Sequence, residues 1–170
     1  MKLALHNRKG DIVAYTLVDL EDYQLLKQYR WRLGPNNSAA RGKRTNGKYC
    51  TFLIHRVIMG LDHDDPREVD HKNRNRLDNR RKNLRIVTRL QNAQNVPHNK
   101  TWRGQITSSR YRGVRHHSAA HMAKRPNGRP WFVMHTLNGK NIKLGTYWTE
   151  EEANEAAIQW RKENMLYAID

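Results

Sequence analysis

The segment Glu68 to Asn95 limits the possible folds most, because its pattern is that of a strand, a long polar loop, a second strand and a helix. Leu84 to Val87 is the predicted second strand. Thr88 and Gln91 form a capping box, so we expect the helix to begin at Thr88 and to end before Pro97. A hairpin followed by a short helix brings the end of the first strand close to that helix.

The middle and later parts of the chain are strongly basic. The sequence has 32 Lys and Arg against 16 Asp and Glu, a formal charge of +16 and a pI near 10.4. Between His71 and Thr149 there are 18 Lys or Arg and one acid, Asp78. The same stretch contains apolar residues such as Leu84 and Trp131, so it is able to fold and is not a disordered basic tail. A folded, cationic protein requires a polyanionic partner, and nucleic acid is favoured.

Cysteine content and hydropathy limit the compartment and the class of protein. The single Cys50 excludes an internal disulfide framework and Cys-x-x-Cys zinc sites, which fits a reducing cytosol. No apolar run approaches the length of a membrane span, and Met1 to Gly10 is too polar for a signal peptide. We therefore expect a cytoplasmic protein with no membrane partner.

Polar and turn-rich segments divide the 170 residues into two small domains. We predict a first domain over residues 1–96, a linker without periodicity over residues 97–109, and a second domain over residues 110–170. The expected fold class is α+β.

The first domain is predicted to contain a small α+β unit over residues 10–60. Ile12 to Val18 is apolar, and Asp19 stands where a helix cap is expected. After a basic hairpin at Asn46-Gly47, apolar and β-branched residues recur from Tyr49 to Met59, as they do in strands.

The second domain is predicted to be a three-stranded antiparallel sheet packed on one helix. The strand-like runs are Tyr111 to His117, Trp131 to Leu137 and Asn141 to Tyr147. A second capping box, formed by Thr149 and Glu152, opens the helix. Small and aromatic residues recur at helical spacing on the side that is expected to lie on the sheet, namely Ala153, Ala156, Ala157 and Trp160.

Three side chains of the first domain suit phosphodiester hydrolysis. Asp70 and His71 end the first strand of the Glu68 to Asn95 segment, and Asn92 lies in its helix. The reaction needs a cation to neutralise the charge of the scissile phosphate and a base to deprotonate the attacking water. Asp70 and Asn92 offer oxygen ligands, and His71 titrates near neutral pH. The alternative is that Asp70 and His71 only cap a loop, as most Asp-His pairs do, and that Asn92 caps nothing.

The residues around these three side chains resemble phage and intron-encoded HNH endonucleases. The similarity rests on the runs Val69-Asp70-His71-Lys72-Asn73, Arg76-Leu77-Asp78-Asn79-Arg80, Asn83-Leu84-Arg85-Ile86-Val87-Thr88 and Gln91-Asn92. It is dense over residues 68–95, and residues 14–59 more loosely resemble the usual N-terminal extension of these enzymes. The resemblance implies a small ββα-metal (HNH) nuclease module with an N-terminal α+β extension.

The resemblance also implies a role for each matching residue. Asp70 is the first metal ligand, His71 the general base, Asn83 the asparagine that fixes the loop, and Asn92 the second ligand, with Asn95 as the alternative. Many such enzymes have a second ligating histidine where this chain has Asn92. Two oxygen ligands favour Mg²⁺, or Mn²⁺, over Zn²⁺.

Other polar residues near the motif have two interpretations. Six arginines flank it and are expected to follow DNA phosphates, although some are only solvated: Arg74, Arg76, Arg80, Arg81, Arg85 and Arg89. His55 could reach the scissile region, but a single histidine on a strand is more often packed or exposed. The histidines elsewhere in the chain form no credible zinc ligand set.

Residues 110–165 resemble the DNA-binding domain of the plant APETALA and ethylene-response factors, which also occurs in phage HNH proteins. The similarity rests on Ser109-Arg110-Tyr111-Arg112-Gly113-Val114-Arg115, Trp131, Leu137-Asn138-Gly139-Lys140, Leu144-Gly145-Thr146-Tyr147 and Thr149-Glu150-Glu151-Glu152-Ala153. It implies that the exposed face of the sheet enters the major groove. The connection Ser118 to Arg129 is longer and more basic than in the plant domains, so their target sequence does not carry over.

Strand alternation assigns the two faces of this sheet. Val133 and His135 turn toward the helix with Trp131, and Phe132, Met134 and Thr136 turn outward. The DNA-binding side chains predicted on the outward face are Arg112, Arg115, His117, Asn141 and Lys143, to which the first domain adds Arg85 and Arg89. The alternative is a module that binds the catalytic domain instead of DNA.

The sequence thus predicts a site-specific, metal-dependent endonuclease of the homing type that acts on double-stranded DNA. One catalytic centre cuts one strand, so a monomer would be a nickase and a homodimer could break both strands. The alternative function is a sequence-specific DNA-binding protein whose nuclease site is silent. An RNA-binding structural protein is disfavoured because no aromatic stacking motif is evident.

Overall fold

A computed structural model of the chain describes residues 1–45, 47–96, 101–102, 105–106 and 108–168. The chain divides into two compact units, Met1–Asn95 and Val96–Asp170. Both units combine strands with short helices, so the expected α+β class is confirmed. Within the described residues, no helix is both long and apolar enough to span a membrane.

The first unit has two sheets and three α-helices among its described residues. Its strands are β1 (Lys2–His6), β2 (Ile12–Leu17), β3 (Arg32–Leu33), β4 (Ala39–Thr45), β5 (Lys48–Leu53), β6 (Glu68–His71) and β7 (Leu84–Val87). Its helices are α1 (Leu20–Leu26), α2 (Ile54–Ile58) and α3 (Arg89–Asn92). One sheet has the strand order β2-β1-β3-β4-β5, and β6 pairs with β7 in the other.

Local sequence signals account for most of these elements. The hairpin of β6 and β7 lies where the sequence predicts its two strands, and α3 begins with the expected capping box between Thr88 and Gln91. The run from Tyr49 to Met59 is a strand only as far as Leu53. From Ile54 the chain is helical, because Ile54 and Ile58 are four residues apart and both enter the core from one face of α2. Asn46, in the predicted turn before this run, lies outside the described residues.

The N-terminal strands hold the long loop that joins β6 to β7. The backbone N–H of Leu17 donates to the carbonyl of Leu77 at 2.7 Å, and the N–H of Asn79 donates to the carbonyl of Leu17 at 2.8 Å. Asp19 precedes α1 but makes no capping bond to it, because its carboxylate accepts from the backbone N–H of Arg81 at 2.7 Å. The loop therefore packs against β2 and the start of α1, and the contact between Asp19 and Arg81 joins residues that are 62 positions apart.

The second unit contains the predicted three-stranded sheet and its helix. Its elements are β8 (Thr101–Trp102), β9 (Gln105–Ile106), β10 (Val114–His116), α4 (Ala119–Lys124), β11 (Trp131–Leu137), β12 (Lys140–Tyr147) and α5 (Glu150–Asn164). The antiparallel sheet has the order β10-β11-β12. The capping box of Thr149 and Glu152 is present at the start of α5.

The helix α5 packs on the sheet through small residues. Ala153 and Ala157 are fully buried and share a core with Val114 and Val133. His135, also buried, stacks on Trp160 with ring centres 5.1 Å apart and planes 3° from parallel. The inward orientation expected for Val133 and His135 is therefore confirmed.

Two elements of this unit were not predicted from the sequence. The long connection before β11 contains α4, which is capped by Ser118. Within the predicted linker, β8 and β9 pair with each other as two-residue strands, and residues 97–100, 103, 104 and 107 lie outside the described residues.

Candidate active site

Asp70 and His71 occupy the end of β6, where the strand pairs with β7. Their partners in the register are Arg85 and Leu84. Val69, one residue earlier, enters the core of the first unit, so neighbouring Glu68 and Asp70 share the opposite face of the strand. Asp70 and His71 are each 6% exposed.

Asp70 is held by a cationic and an amide partner. The guanidinium of Arg85 donates to Oδ2 of Asp70 from Nη2 at 2.6 Å and from Nε at 2.8 Å. The side-chain amide of Asn95 lies 2.9 and 3.1 Å from the two carboxylate oxygens. A buried carboxylate thus has its charge balanced by a guanidinium in direct contact.

The two asparagines of the α3 segment have different partners. Asn92, the predicted second ligand, donates from Nδ2 to Oε2 of Glu68 at 2.6 Å. Asn95 donates from Nδ2 to Asp70 and to the carbonyl of His71 at 2.9 Å, while its Oδ1 accepts from Nε of Arg74 at 3.1 Å. The structure therefore brings the alternative ligand, not Asn92, into contact with Asp70. Glu68, which the sequence reasoning did not select, joins the group through Asn92.

Asn83 ties together the loop between the two strands. Its Nδ2 donates to the carbonyl of Asp78 at 2.7 Å, and its Oδ1 accepts from the backbone N–H of Asn73 at 3.0 Å. Its own carbonyl accepts from the N–H of Lys72 at 2.8 Å. These contacts are those of a residue that shapes the loop, and Asn83 makes none to Asp70 or His71 within the described structure.

His71 lies between a buried asparagine and a second histidine. Its Nε2 is 3.0 Å from Oδ1 of Asn79, and its ring meets the edge of the His55 ring with centres 5.1 Å apart. Burial lowers the pKa of His71, although the contact with Asn79 and the charge of Asp70 act to raise it. Burial, followed by the proximity of His71, lowers the pKa of His55 to about 3. His55 is therefore neutral at physiological pH, and its buried Nδ1 has no hydrogen-bond partner in the described structure.

Three of the six arginines expected to follow phosphates are paired with acids of the first unit. Arg80 contacts Asp78 and Arg81 contacts Asp22, each at 2.7 Å, and Arg85 contacts Asp70. Arg89 is exposed on α3. The sequence pattern could suggest one pairing, since Asp78 is two residues from Arg80, but not the other two, which link distant segments.

In the second unit, the outward face of the sheet carries both basic and stacked aromatic side chains. Arg115 is exposed and pairs in register with Phe132, and exposed Lys143 has its Nζ 5.4 Å from the centre of the Phe132 ring. The ring of His117 stacks on Phe132 at 4.5 Å, and that of His121, on α4, stacks on His117 at 4.0 Å. Burial, then the neighbouring His121, lowers the pKa of His117.

Not all of the predicted outward residues lie on strands. Asn141 is exposed and accepts a hydrogen bond from Thr136 at 2.8 Å. Arg112 is half-buried with a buried Nη1 and precedes β10, so it does not lie on the strand from which its outward position was predicted. The alternation counted from Tyr111 fails because Gly113 has a φ of +81°, which is outside the strand conformation. His117 follows the last residue of β10 and covers Phe132.

Comparison with protein families decides what the first unit contains. Residues 53–94 match the family model described as HNH endonuclease. This segment of the first unit is similar to HNH endonuclease domains. The match includes α2, both strands of the β6-β7 hairpin and α3, and it agrees with the resemblance to HNH endonucleases that the sequence motifs show.

The other two comparisons say little about the function of the chain. No curated protein matches the chain significantly. A solved structure described as DNA binding and cleavage by the HNH homing endonuclease I-HmuI has 24% sequence identity and a TM-score of 0.32, over 69% of this chain and 62% of that one. A TM-score of this size does not establish a common overall fold, and the chain spans less than two thirds of that protein.

The two carboxylates on one face of β6 offer oxygen atoms of the kind that a hard divalent cation prefers. Two carboxylates, of Glu68 and Asp70, share one face of β6, and two carboxamides from the α3 segment contact them. Mg²⁺ is commonly bound through one or two carboxylates and keeps several waters. The described residues contain no group of three or more His, Cys, Asp or Glu side chains placed to hold a metal.

Proposed function

We propose that the protein is a site-specific, metal-dependent endonuclease that hydrolyses phosphodiester bonds of double-stranded DNA. The observation that carries this proposal is the pair Asp70 and His71, held side by side at the end of β6 inside the HNH match. A carboxylate ligand and a neutral imidazole base are the two groups that metal-assisted hydrolysis requires.

The metal is Mg²⁺, or Mn²⁺, held by Asp70 and Asn92. When bound, it neutralises charge on the scissile phosphate. Asn95 contacts Asp70 through its NH₂ group, and its Oδ1 is engaged by Arg74, so Asn95 orients the carboxylate and is not itself a ligand. Oδ1 of Asn92 accepts no hydrogen bond from the described residues, and its amide lies against Glu68, on the same face of β6 as Asp70.

The test of the function is cleavage of long supercoiled duplex DNA with Mg²⁺ or Mn²⁺, and with EDTA as the control. We expect open-circular or linear products only with the metal, and sequencing of the ends of cleaved genomic fragments should give one recurring site. A catalytically silent DNA-binding protein is the second candidate, because Arg85 already neutralises Asp70. That candidate requires binding with no product at any metal concentration.

The two asparagines should respond differently to substitution. Asn92→Ala is expected to lower cleavage about 10- to 100-fold, with recovery at high Mg²⁺ or with Mn²⁺, because a lost ligand weakens the affinity for the ion. Asn92→His should keep cleavage. Asn95→Ala should lower cleavage without recovery at high metal, because it releases the carboxylate of Asp70. Cleavage is measured over a metal titration, and the opposite pattern of recovery would make Asn95 the ligand.

We further propose that the second unit reads the target sequence through the exposed face of its sheet. The support is the exposure of Arg115, Asn141 and Lys143 on the face opposite α5. A basic face of this kind suits contact with the major groove. Arg89 of the first unit follows phosphates, whereas Arg85 has to leave Asp70 before it can contact DNA.

Arg115→Ala should weaken binding at the target site by about 1–3 kcal/mol, and weaken binding to a scrambled duplex much less. The reason is that a contact to a base edge is lost only at the correct sequence. Lys162→Ala, an exposed cation on α5, is the matched control for lost charge. Titrations of both duplexes at several salt concentrations measure the effect. An equal loss on both duplexes would make Arg115 a phosphate contact.

A further inference from the structure

A buried line of side chains joins the N-terminal hairpin to His71. Oγ1 of Thr16, on β2, donates to the carbonyl of Leu77 at 2.9 Å. Nδ2 of Asn79 lies 2.7 Å from Oγ1 of Thr16, and Oδ1 of Asn79 lies 3.0 Å from Nε2 of His71. Thr16 and Asn79 are both 0% exposed. Thr16 lies outside residues 53–94, the segment that matches the HNH endonuclease family.

The carbonyl of Leu77, at one end of this line, determines which atom donates in each of its hydrogen bonds. A carbonyl only accepts, so the hydroxyl proton of Thr16 is used on Leu77, and Oγ1 is left as an acceptor. The group of Asn79 that faces it must then be the NH₂ group, which also donates to the carbonyl of Arg76 at 3.1 Å. The group that faces His71 is consequently the amide oxygen. An amide oxygen has no proton to give, so the proton in this bond belongs to Nε2 of His71.

The contact with Asn79 thereby determines the tautomer of the neutral imidazole. When one ring nitrogen carries the proton, the other holds a lone pair and is the basic atom. Within the described residues Nδ1 of His71 has no hydrogen-bond partner, and the neighbouring ring of His55 meets it edge to face.

We propose that Asn79 is a positioning residue that holds the proton of His71 on Nε2 and so makes Nδ1 the atom that accepts the proton from water. This inference rests on the proposed function, in which His71 is the base. In the step, the O–H bond of water breaks and its electron pair stays on oxygen, while the lone pair of Nδ1 forms the new N–H bond. The imidazolium that results donates from both nitrogens, and the oxygen of Asn79 continues to accept from Nε2. Thr16 keeps Asn79 in the required orientation.

The tautomer is measured on the wild-type protein without any substitution. Two-dimensional ¹⁵N–¹H NMR of the imidazole groups, with His71→Ala to assign the signals, should show a proton bonded to Nε2 of His71 that exchanges slowly with water. It should also show Nδ1 with the shift of an unprotonated nitrogen. A proton found on Nδ1 of neutral His71 overturns the inference.

Two substitutions of Asn79 separate its oxygen from its amino group. Asn79→Asp keeps an oxygen acceptor for His71 but loses both donors, whereas Asn79→Leu loses both functions. We expect Asn79→Leu to lose the Nε2 proton signal and at least tenfold in kcat with KM unchanged, and Asn79→Asp to keep the signal and most of kcat. Thr16→Val should fall between them. Equal losses in Asn79→Asp and Asn79→Leu would mean that Asn79 only supports the loop, and unchanged kcat in Asn79→Leu would also overturn the proposal.

The same experiments distinguish failure of this inference from failure of the proposed function. If His71→Ala cleaves DNA as the wild type does, the assignment of His71 as base is wrong, whatever the NMR signal shows. If His71→Ala is inactive while Asn79→Leu is fully active, only the role of Asn79 is wrong. Thermal unfolding of each variant identifies any loss of activity that is caused by loss of the fold.

Discussion

His71→Ala is expected to abolish hydrolysis while DNA affinity remains nearly unchanged. A general base supplies about 10²- to 10⁴-fold in rate. Among the described residues, the imidazole that contacts His71 is that of His55, and burial lowers its pKa to about 3, which makes it a weak base. Burial also lowers the pKa of His71, which disfavours the charged ring, so His71 is expected to contribute little to phosphate attraction. Single-turnover cleavage and equilibrium binding to the same duplex measure the two quantities separately.

His63→Ala is the matched control for this substitution. His63 is an exposed histidine of the same unit, whose ring contacts Phe52 and not the residues around Asp70. It should retain cleavage. Turnover by His71→Ala above about a hundredth of the wild-type rate would exclude His71 as the general base. The loss of rate would then be smaller than the contribution of a general base, about 10²- to 10⁴-fold.

Parts of this protein with strong local signals could be predicted from the sequence. The β6-β7 hairpin and α3 follow from alternation and a capping box, which operate within a few residues. Alternation also predicts the inward side of β11, where Val133 and His135 pack against α5. The motif also selects Asp70 and His71 as candidates, and the structure places them side by side at the end of β6.

Contacts between distant segments could not be predicted in this way. Thr16 and Asn79 are 63 residues apart, and no periodicity or spacing indicates that they meet. The only sequence signal for Asn79 was its position in the run that resembles HNH enzymes. That position does not predict the contact with His71, because the contact depends on how β2 holds the loop. Likewise, alternation correctly turns Phe132 outward, but the stacking of His117 and His121 over it depends on α4.

Asp70→Asn should remove both cleavage and Mg²⁺ binding, and EDTA should reproduce the loss of cleavage in the wild type. The substitution preserves size but removes the charge that binds a hard cation. It also removes the acid that Arg85 contacts at 2.6 Å, so the guanidinium, with a side chain only 19% exposed, loses its charged partner. We expect a loss of about 1–3 kcal/mol in the free energy of unfolding, less than for a fully buried pair. Calorimetric titration with Mg²⁺ and denaturant unfolding measure the two effects.

The double variant Asp70→Asn with Arg85→Gln separates metal binding from folding. It replaces both members of the ion pair by amides of similar size, so most of the lost stability should return, because no unpaired charge remains. Cleavage should stay absent, since the carboxylate is still missing. Arg85→Gln alone should raise the affinity for Mg²⁺, because the ion no longer competes with the guanidinium for Asp70. Recovery of cleavage in the double variant, or full activity of the wild type in EDTA, would show that Asp70 serves only to hold Arg85 and that hydrolysis does not depend on a metal at this carboxylate.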